Sequence, residues 1–315
     1  LRSSDCALSA PTRESLAAEA FATTARYDIA IARWFAEQSG EFPPLFMRAF
    51  EKVTDLPYGE NPHQRAAFYS QIGARATVLS QVKQHHGKEL SYNNLLDLDA
   101  ARSMLRDLER PACAIIKHNN PCGVAIADDV GAAYGKAFAC DPVSAYGGVI
   151  AVNRPIDLAA ATALSGQFIE VLIAPGYDED ALELLTQKQN LRILEDGERR
   201  LPPVTEPEIR QVTGGLLVAD GDHSFDEREG MEVATDCRPD DAQWQDLLFA
   251  WHVARHVKSN AIVVVRDGAT VGIGAGQMSR VDSVRLAVEK AQGPHGLAGG
   301  ALASDAFFPF ADGPE

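Results

Sequence analysis

A lysine and a histidine follow directly on a short apolar run, and together they could bind an anion and transfer a proton. Residues 111–123 read P-A-C-A-I-I-K-H-N-N-P-C-G, and the apolar segment 112–116 predicts a buried strand. Lys117 and His118 would lie where this strand leaves the core, with a turn over residues 119–123 behind them. Open α/β sheets hold ligands at strand ends, so the pair is a candidate site. The alternative is a strand that has simply reached solvent.

A second candidate is Asn260, in the segment V-K-S-N-A-I-V-V-V between a predicted helix and a buried strand. An amide at the start of a core strand must find hydrogen-bond partners, so it could orient a base or a substrate oxygen. A turn-forming or capping role is the alternative. Residues 271–280, V-G-I-G-A-G-Q-M-S-R, resemble a phosphate-cradling turn in which Arg280 would contact an anion. Ser279 takes the place of the third glycine, so the dinucleotide-binding pattern is incomplete.

The C-terminal segment A-S-D-A-F-F-P-F places three phenylalanines around a proline. Phe307, Phe308 and Phe310 could form an apolar plug in the core, or a wall on which a flat heteroaromatic ligand stacks. The sequence leaves both interpretations open, because an apolar ridge suits either role.

Two histidines four residues apart, His252 and His256, have the spacing of a zinc-binding pair on a helix. The glutamate that such a motif requires after the first histidine is Val253 here, so we expect both histidines at the edge of the core. His85 and His86 lie in a polar stretch and are expected at the surface. The chain contains no G-x-S-x-G, no G-K-[ST] and no acidic metal cluster, which argues against serine hydrolases, P-loop ATPases and magnesium phosphotransferases.

The composition is that of a globular protein with a strong acidic excess. Among 315 residues, 44 are acidic and 29 are basic, which gives a net charge of −15. This charge argues against nucleic acid or an anionic membrane as a partner, although a locally positive site could still bind a small anion. Five cysteines without a C-x-x-C argue against a disulfide framework or structural zinc, and they predict a cytoplasmic location. The sequence has no apolar run long enough for a transmembrane helix, and we expect no signal peptide.

The predicted elements alternate between strands and helices. Apolar spacing predicts an amphipathic helix over 12–38, followed by a boundary near residue 42. Ser91 or Asn93 would cap the helix that precedes the 112–116 strand, and Asp267-Gly268 would join two later strands in a hairpin. This alternation predicts a mixed α/β fold. Strand-then-helix units before and after the irregular stretch 196–240 are a weak sign of two related halves.

Eight strings taken together are specific enough to indicate a family. They are K-H-x-N-P-C-G, L-x-Y-G-E-N-P-H-Q, S-Y-N-N, D-P-x-S-A-Y-G-G-V-I-A, I-A-P-G-Y, V-K-S-N-A-I-V, G-I-G-A-G-Q-x-S-R and A-S-D-A-F-F-P-F. With them, residues 45–315 resemble the transformylase half of the bifunctional purine-biosynthesis family. Residues 12–38 resemble the end of that family's cyclohydrolase domain. We expect most of that domain, and a segment beyond residue 315, to be missing from this chain.

The resemblance implies an α/β fold of two cytidine-deaminase-like subdomains, with mixed sheets flanked by helices. It assigns residues 43–200 to the first subdomain and 201–315 to the second, which would be incomplete at its C-terminus. Residues 1–42 would be a helical remnant of the cyclohydrolase domain and a linker. The family works as a homodimer with sites at the interface, so a homodimer is expected here.

The activity that the resemblance implies is a formyl transfer in de novo purine biosynthesis. The formyl group would move from 10-formyltetrahydrofolate to the 5-amino group of aminoimidazole carboxamide ribonucleotide (AICAR). The ligands would thus be a small nucleotide and a folate cosubstrate, with a monovalent cation, potassium, as a further candidate and no other metal. Closure of the product to inosinate, the cyclohydrolase reaction, is not expected from this chain.

The resemblance also assigns roles to residues. His118 would serve as base and then acid, Lys117 would stabilise the oxyanion, and Asn260 would place the amine or His118. Five residues are expected to contact the nucleotide: Tyr58, Gly147, Glu170, Arg280 and Phe307. Two residues are expected on the folate side: Pro309 and Asp312.

Pro57 departs from the family pattern, which commonly has an arginine before this Tyr-Gly, associated with the substrate phosphate. A second such arginine would lie beyond residue 315. An alternative function is therefore a chain that dimerises and binds nucleotide or folate without turnover. A third possibility, a dinucleotide-dependent oxidoreductase, rests only on the glycines of 272–276.

Overall fold

The computed structural model divides the chain into two compact units. It describes residues 7–74, 79–197, 207–222, 228–291 and 296–313. One unit comprises Leu1–Asp55 with Ala67–Arg75, and the other comprises Leu56–Ala66 with Ala76–Glu315. The candidate site residues all belong to the second unit.

The first unit is built on one long helix. Its elements are α1 (Ala10–Ser39), β1 (Phe50–Leu56) and β2 (Ala66–Gln71), and the two strands pair with each other. The Ser9 hydroxyl accepts the Thr12 N–H at the start of α1, and Gly40 ends the helix with a φ of 66°. The helix predicted over 12–38 is thus confirmed. No α1 side chain that the structure describes is buried.

A nine-stranded mixed sheet forms the centre of the second unit. The strands of this unit are β3 (Lys83–His86), β4 (Ala112–Lys117), β5 (Asn120–Ile126), β6 (Val149–Val152), β7 (Val171–Ala174), β8 (Arg192–Glu195), β9 (Glu208–Val212), β10 (Gly215–Ala219), β11 (Ile262–Arg266), β12 (Ala269–Gly274) and β13 (Ala301–Ser304). The order in the sheet is β13-β11-β12-β5-β4-β6-β7-β8-β3, while β9 and β10 form a separate hairpin. Only β6, β7 and β8 run parallel among these described strands.

Helices cover both faces of this sheet, which confirms the mixed α/β prediction. They are α2 (Tyr92–Leu105), α3 (Val130–Cys140), α4 (Pro142–Ala145), α5 (Leu158–Ser165), α6 (Glu179–Thr186), α7 (Asp241–Arg255) and α8 (Arg280–Ala291). α2 and α7 pack on one face, and α3, α5, α6 and α8 pack on the other. No described helix combines the length and the apolar character needed to cross a bilayer.

Two stretches of the second unit repeat one order of elements. The first is α2-β4-β5-α3 and the second is α7-β11-β12-α8. β4 pairs with β5 and β6 as β11 pairs with β12 and β13, and β5 meets β12 antiparallel in the middle. α2 and α7 each begin with a capping box, Ser91 with Asn94 and Asp240 with Gln243. This repetition agrees with the weak sign of two related halves in the sequence.

Gly123 lies inside β5, whereas the sequence suggested a turn over 119–123. A Cβ atom at residue 123 would lie 1.9 Å from the carbonyl oxygen of Ala137 in α3. Pro121 also belongs to β5, so the turn consists of His118 and Asn119, with φ values of 54° and 61°. Close helix–sheet packing therefore requires the glycine, and local turn signals cannot reveal this.

Two glycines of β12 are likewise required by close helix–sheet packing. A Cβ atom at Gly272 would lie 2.0 Å from the Ala287 carbonyl oxygen, and one at Gly274 would lie 1.9 Å from the Ser283 carbonyl oxygen. Both carbonyls belong to α8, so these glycines let α8 approach the sheet. The oxidoreductase alternative relied on these glycines as a phosphate cradle, and their packing role accounts for them without one.

Gly123→Ala is expected to lower the free energy of unfolding by about 3 kcal/mol or more, because α3 would have to move away from β5. Gly135→Ala is the matched control, since a Cβ atom there meets no atom within 4 Å. That change lies inside α3 and should raise the free energy of unfolding by about 0.5–1 kcal/mol. Denaturant unfolding of both variants measures the two effects. A Gly123→Ala variant as stable as the parent would contradict the packing account.

The structure corrects the expectation for His85 and His86. Both belong to β3 at the end of the sheet and are half-buried, not surface residues. The His85 Nε2 atom lies 2.5 Å from Oε2 of Glu195 on β8, and the His86 Nε2 atom lies 3.2 Å from the carbonyl oxygen of Lys188. These contacts attach an edge strand whose sequence is too polar to indicate burial.

Candidate functional site

The candidate residues lie along one edge of the nine-stranded sheet. The antiparallel pairing of β4 brings its C-terminal end together with the N-terminal ends of β5 and β6, and β7 and β8 continue the row. The pairings of β12, β11 and β13 bring the end of β12, the start of β11 and the end of β13 to the same edge. Residues at or beside these strand ends are Lys117, His118, Gly147, Glu170, Asn260, Arg280 and Phe307.

Lys117 and His118 are neighbours at the tip of the β4–β5 hairpin. The Lys117 ammonium donates to the carbonyl oxygen of Tyr146 at 2.9 Å. His118 is exposed and has a left-handed backbone conformation. Asp97 on α2 accepts the N–H of His118 at 3.3 Å and that of Asn119 at 2.6 Å. The structure therefore holds the ammonium of one residue by a hydrogen bond and leaves the imidazole of the next residue accessible.

Asn120 connects this hairpin tip to the segment before β11. Its amide nitrogen donates to the carbonyl oxygen of His118 at 3.2 Å. Its amide oxygen accepts the N–H of Lys258 at 3.1 Å. One side chain thus holds together the two segments that carry His118 and Asn260.

The amide of Asn260 makes hydrogen bonds within the protein. Nδ2 donates to the carbonyl oxygens of Gln277 and Met278 at 2.8 and 3.1 Å. Oδ1 accepts from Arg280 Nη2 at 2.8 Å. This bonding agrees with the turn-forming interpretation of Asn260, and it fixes the position of the amide oxygen.

Arg280 is tied to the end of β13. Its Nη1 atom lies 2.5 Å from Oδ1 of Asp305 and 2.7 Å from the Ser304 hydroxyl. Burial raises the pKa of Asp305, but hydrogen bonds from Arg280, Ser259 and the Ala261 N–H outweigh this and leave the pKa below its ordinary value. Asp305 is therefore ionised at neutral pH and balances the charge of Arg280.

Glu170, which directly precedes β7, is held from two sides. Its Oε1 atom accepts from Nδ2 of Asn94 at 3.2 Å and lies 3.5 Å from Nη1 of Arg192. Asn94 is buried and belongs to the capping box of α2. The Glu170 side chain is 40% exposed, so part of it remains accessible to a ligand.

Gly147 and Tyr58 lie in loops next to these residues. Gly147 has a φ of 72°, which suits glycine, and it follows Tyr146, whose carbonyl oxygen holds Lys117. The loop that contains Tyr58 is closed by a hydrogen bond from the Gly59 N–H to the Gln64 carbonyl oxygen at 2.9 Å. Asn93 Nδ2 donates to the Glu60 carbonyl oxygen at 3.3 Å and so attaches this loop to the start of α2.

The three phenylalanines after β13 divide between the two roles that the sequence left open. Phe308 packs against the apolar cluster beneath α8. Phe307 and Phe310 are 81% and 74% exposed. Pro309 and Asp312 in the same segment are exposed as well. One ring therefore packs against the core, while the others are available to a flat ligand.

The candidates form two groups along the edge. Tyr58, Gly147 and Glu170 lie near β6 and β7, while Arg280 and Phe307 lie near β11 and β13. Four strand spacings separate β6 from β11 and six separate β7 from β13, which is roughly 19–29 Å at about 4.8 Å each. The β4–β5 hairpin tip, with Lys117 and His118, lies between the two groups.

A family model described as AICARFT/IMPCHase bienzyme matches residues 1–290. The chain belongs to this family. The bifunctional purine biosynthesis protein PurH of Roseobacter denitrificans is 49% identical over 312 residues, which cover 96% of this chain and 59% of that protein. The chain therefore spans about three fifths of the length of the curated relative that it matches.

Four residues hold the candidate site in place in this AICARFT/IMPCHase family member, but the sequence alone gave them no role in it. They are Asn94, Asp97, Asn120 and Tyr146. Asn94 lies within S-Y-N-N and Asp97 three residues after it, so the family string was itself a signal. Tyr146 contributes a carbonyl oxygen, and no sequence pattern indicates such a role.

Three other reactive residues of this family member, Cys122, His252 and His256, lie in the core or at its edge. Burial raises the pKa of the Cys122 thiol to about 12, so it is not a thiolate near neutral pH. His252 on α7 and His256, which directly follows α7, are half-buried, with ring centroids 5.4 Å apart. His252 Nε2 lies 2.9 Å from the Met104 carbonyl oxygen. Their position at the edge of the core matches the sequence interpretation.

The free energy of unfolding is expected to fall as the pH drops from about 6.5 towards 3, because His256 resists protonation in the folded state. Burial, with His252 and two arginines nearby, lowers the pKa of His256 from 6.5 to about 3. Between these values the unfolded chain binds the proton and the folded chain does not. Each pH unit in this window therefore costs roughly 1 kcal/mol.

Denaturant unfolding of the parent and of His256→Gln at several pH values measures this effect. The variant should show a smaller decrease in unfolding free energy between pH 6.5 and pH 4 than the parent. Equal decreases in both proteins would show that His256 is not responsible.

Proposed function

We propose that this chain transfers a formyl group from 10-formyltetrahydrofolate to the 5-amino group of AICAR. The observation that carries the proposal is the hairpin tip, where an ammonium and an exposed imidazole lie on adjacent residues of a chain from the AICARFT/IMPCHase family. These two groups are the ones that an acyl transfer between two nitrogen atoms requires.

His118 acts as base and then as acid in this proposal. The amine of AICAR is a weak nucleophile, because its lone pair is delocalised into the imidazole ring and towards the carboxamide. As its nitrogen bonds to the formyl carbon, His118 takes the proton that the nitrogen loses. When the bond from the formyl carbon to the folate nitrogen breaks, His118 returns the proton to that nitrogen. The products are formyl-AICAR and tetrahydrofolate.

Lys117 stabilises the negative charge on the formyl oxygen in the tetrahedral intermediate. An ammonium has three donors, and one of them is used by the Tyr146 carbonyl oxygen. That bond fixes the ammonium at the hairpin tip before any substrate arrives, so little reorganisation is needed during the reaction.

Asn260 is the third residue of the proposed machinery. Its fixed amide oxygen would place the substrate amine, and the Asn120–Lys258 hydrogen bond keeps its segment beside His118. Tyr58, Gly147, Glu170 and Arg280 would contact the nucleotide, with Phe307 stacked on its base. Pro309 and Asp312 would lie on the folate side.

We further propose that the site is completed by a second copy of the chain. The two groups of binding residues extend from strand ends that are roughly 19–29 Å apart in one chain, and the resemblance implies a homodimer with sites at its interface. A homodimer that brings the first group of one chain to the second group of the other would place both in one site. Analytical ultracentrifugation with and without AICAR tests this, and a chain that stays monomeric while turning over would contradict it.

A formyl-transfer assay on this chain decides the main proposal. The purified chain is mixed with 10-formyltetrahydrofolate and AICAR, and formyl-AICAR is separated by chromatography, with omission of AICAR as the blank. We expect formyl-AICAR to accumulate. Stabilisation by AICAR without any product would instead support the alternative of a binding chain. Parallel assays in potassium and in sodium salts show whether the cation matters.

A further inference from the structure

We infer that Asp97 is a positioning residue, whose carboxylate holds the turn that presents the His118 imidazole. This inference rests on the proposed formyl transfer. Both carboxylate oxygens take part: Oδ2 accepts the N–H of His118 at 3.3 Å, and Oδ1 accepts the N–H of Asn119 at 2.6 Å. Asp97 would not touch the substrate in this role.

The turn needs such support because of its backbone. His118 and Asn119 both have φ near 60°, a conformation that residues with a Cβ atom seldom adopt. A two-residue hairpin tip also leaves its N–H groups outside the strand ladder. One carboxylate accepts from both groups: its bond from Asn119, at 2.6 Å, is as short as charge-assisted hydrogen bonds are, while its bond from His118, at 3.3 Å, is longer.

A second copy of this arrangement exists at the opposite edge of the sheet. Asp246 on α7 accepts the N–H groups of Asp267 and Gly268 at the β11–β12 turn, both at 2.8 Å. The separation from carboxylate to the first turn residue is 21 residues in each case. The fold therefore uses the same carboxylate-to-turn arrangement twice. At the edge that carries the candidate site, the turn bears the His118 imidazole and directly follows Lys117.

The turn is also held at its other end. Asn120 donates to the carbonyl oxygen of His118, so the N–H and the C=O of this residue are both bonded. With its backbone fixed on both sides, the imidazole can move only by rotation of its own side chain. Displacement of a catalytic group by about 1 Å can lower the rate about 10²-fold, so release of this turn should be visible in kcat.

Three substitutions at residue 97 test the inference. In Asp97→Ala, kcat should fall about 10–100-fold while KM for AICAR changes less than about threefold, because the proposed nucleotide contacts lie elsewhere. Asp97→Asn keeps one acceptor oxygen and should lie between Asp97→Ala and the parent. Asp97→Glu keeps both oxygens and should recover part of the loss. If Asp97→Ala does not fold, the kcat values of Asp97→Asn and Asp97→Glu still test the inference.

Asp246→Ala is the matched control, because it removes the same pair of hydrogen bonds at the other edge. It should lower the melting temperature as Asp97→Ala does, yet leave kcat within about twofold of the parent. Equal losses of kcat in the two variants would show that Asp97 acts only through stability. A loss confined to KM would also overturn the positioning role.

Amide hydrogen exchange provides a readout that does not depend on activity. With ¹⁵N-labelled histidine, the eight His amides are observable, and the His118 signal is assigned from a His118→Asn variant. Exchange at His118 should become faster in Asp97→Ala and stay unchanged in Asp246→Ala. Unchanged exchange in Asp97→Ala overturns the inference. An inactive parent chain would refute the formyl transfer separately, since the exchange measurement would still show whether Asp97 holds the turn.

Discussion

His118→Ala is expected to lower the kcat of formyl transfer by about 10²–10⁴-fold, which is the usual contribution of a positioned acid–base group. The same imidazole would serve both proton transfers, so its loss slows attack by the amine and departure of the folate nitrogen. Steady-state assays with AICAR and 10-formyltetrahydrofolate measure this loss. Binding should persist, so stabilisation of the variant by AICAR should match that of the parent.

His118→Asn separates the imidazole from the turn that carries it. Asparagine tolerates a positive φ better than alanine, so this variant retains the backbone conformation of residue 118. If the imidazole is what matters, both variants lose activity to a similar extent. Near-normal turnover in either variant would remove His118 from the mechanism.

Lys117→Met should lower kcat by about 10²–10³-fold, the typical effect of removing one donor to an oxyanion. Methionine keeps an unbranched apolar stem but has no positive charge and no donor. The bond to the Tyr146 carbonyl oxygen is lost as well, so unfolding of the variant must be measured beside its activity. Lys117→Arg keeps the charge but not the compact ammonium, and partial activity is expected from it.

Lys136→Met is the matched control for this variant. The Lys136 ammonium donates to the carbonyl oxygen of Asp267 at 2.8 Å, at the turn on the opposite edge of the sheet. The two substitutions thus remove the same kind of contact from two turns. Lys136→Met should affect stability alone, and a comparable loss of kcat in both variants would argue against an oxyanion role for Lys117.

The sequence determined the features that depend on neighbouring residues. The spacing of apolar residues predicted α1 and the strand that became β4, and Asp267-Gly268 predicted the β11–β12 turn. Ser91 and Asn93 were both candidate caps for α2, and the structure has Ser91. The eight family strings predicted the family, which the comparisons confirmed. These signals are readable because caps, turns and helical periodicity involve residues that are only a few positions apart.

The tertiary structure decided how distant segments meet. The register of β4, β5 and β12 determined that segments more than 100 residues apart share one edge. Gly123 and Gly272 are needed because helices pack closely on them. Arg280 forms an ion pair with Asp305. Phe308 turned inward while Phe307 stayed exposed. None of this follows from local patterns, because each contact depends on strand pairing and on helices packed against the sheet, which only the complete fold specifies.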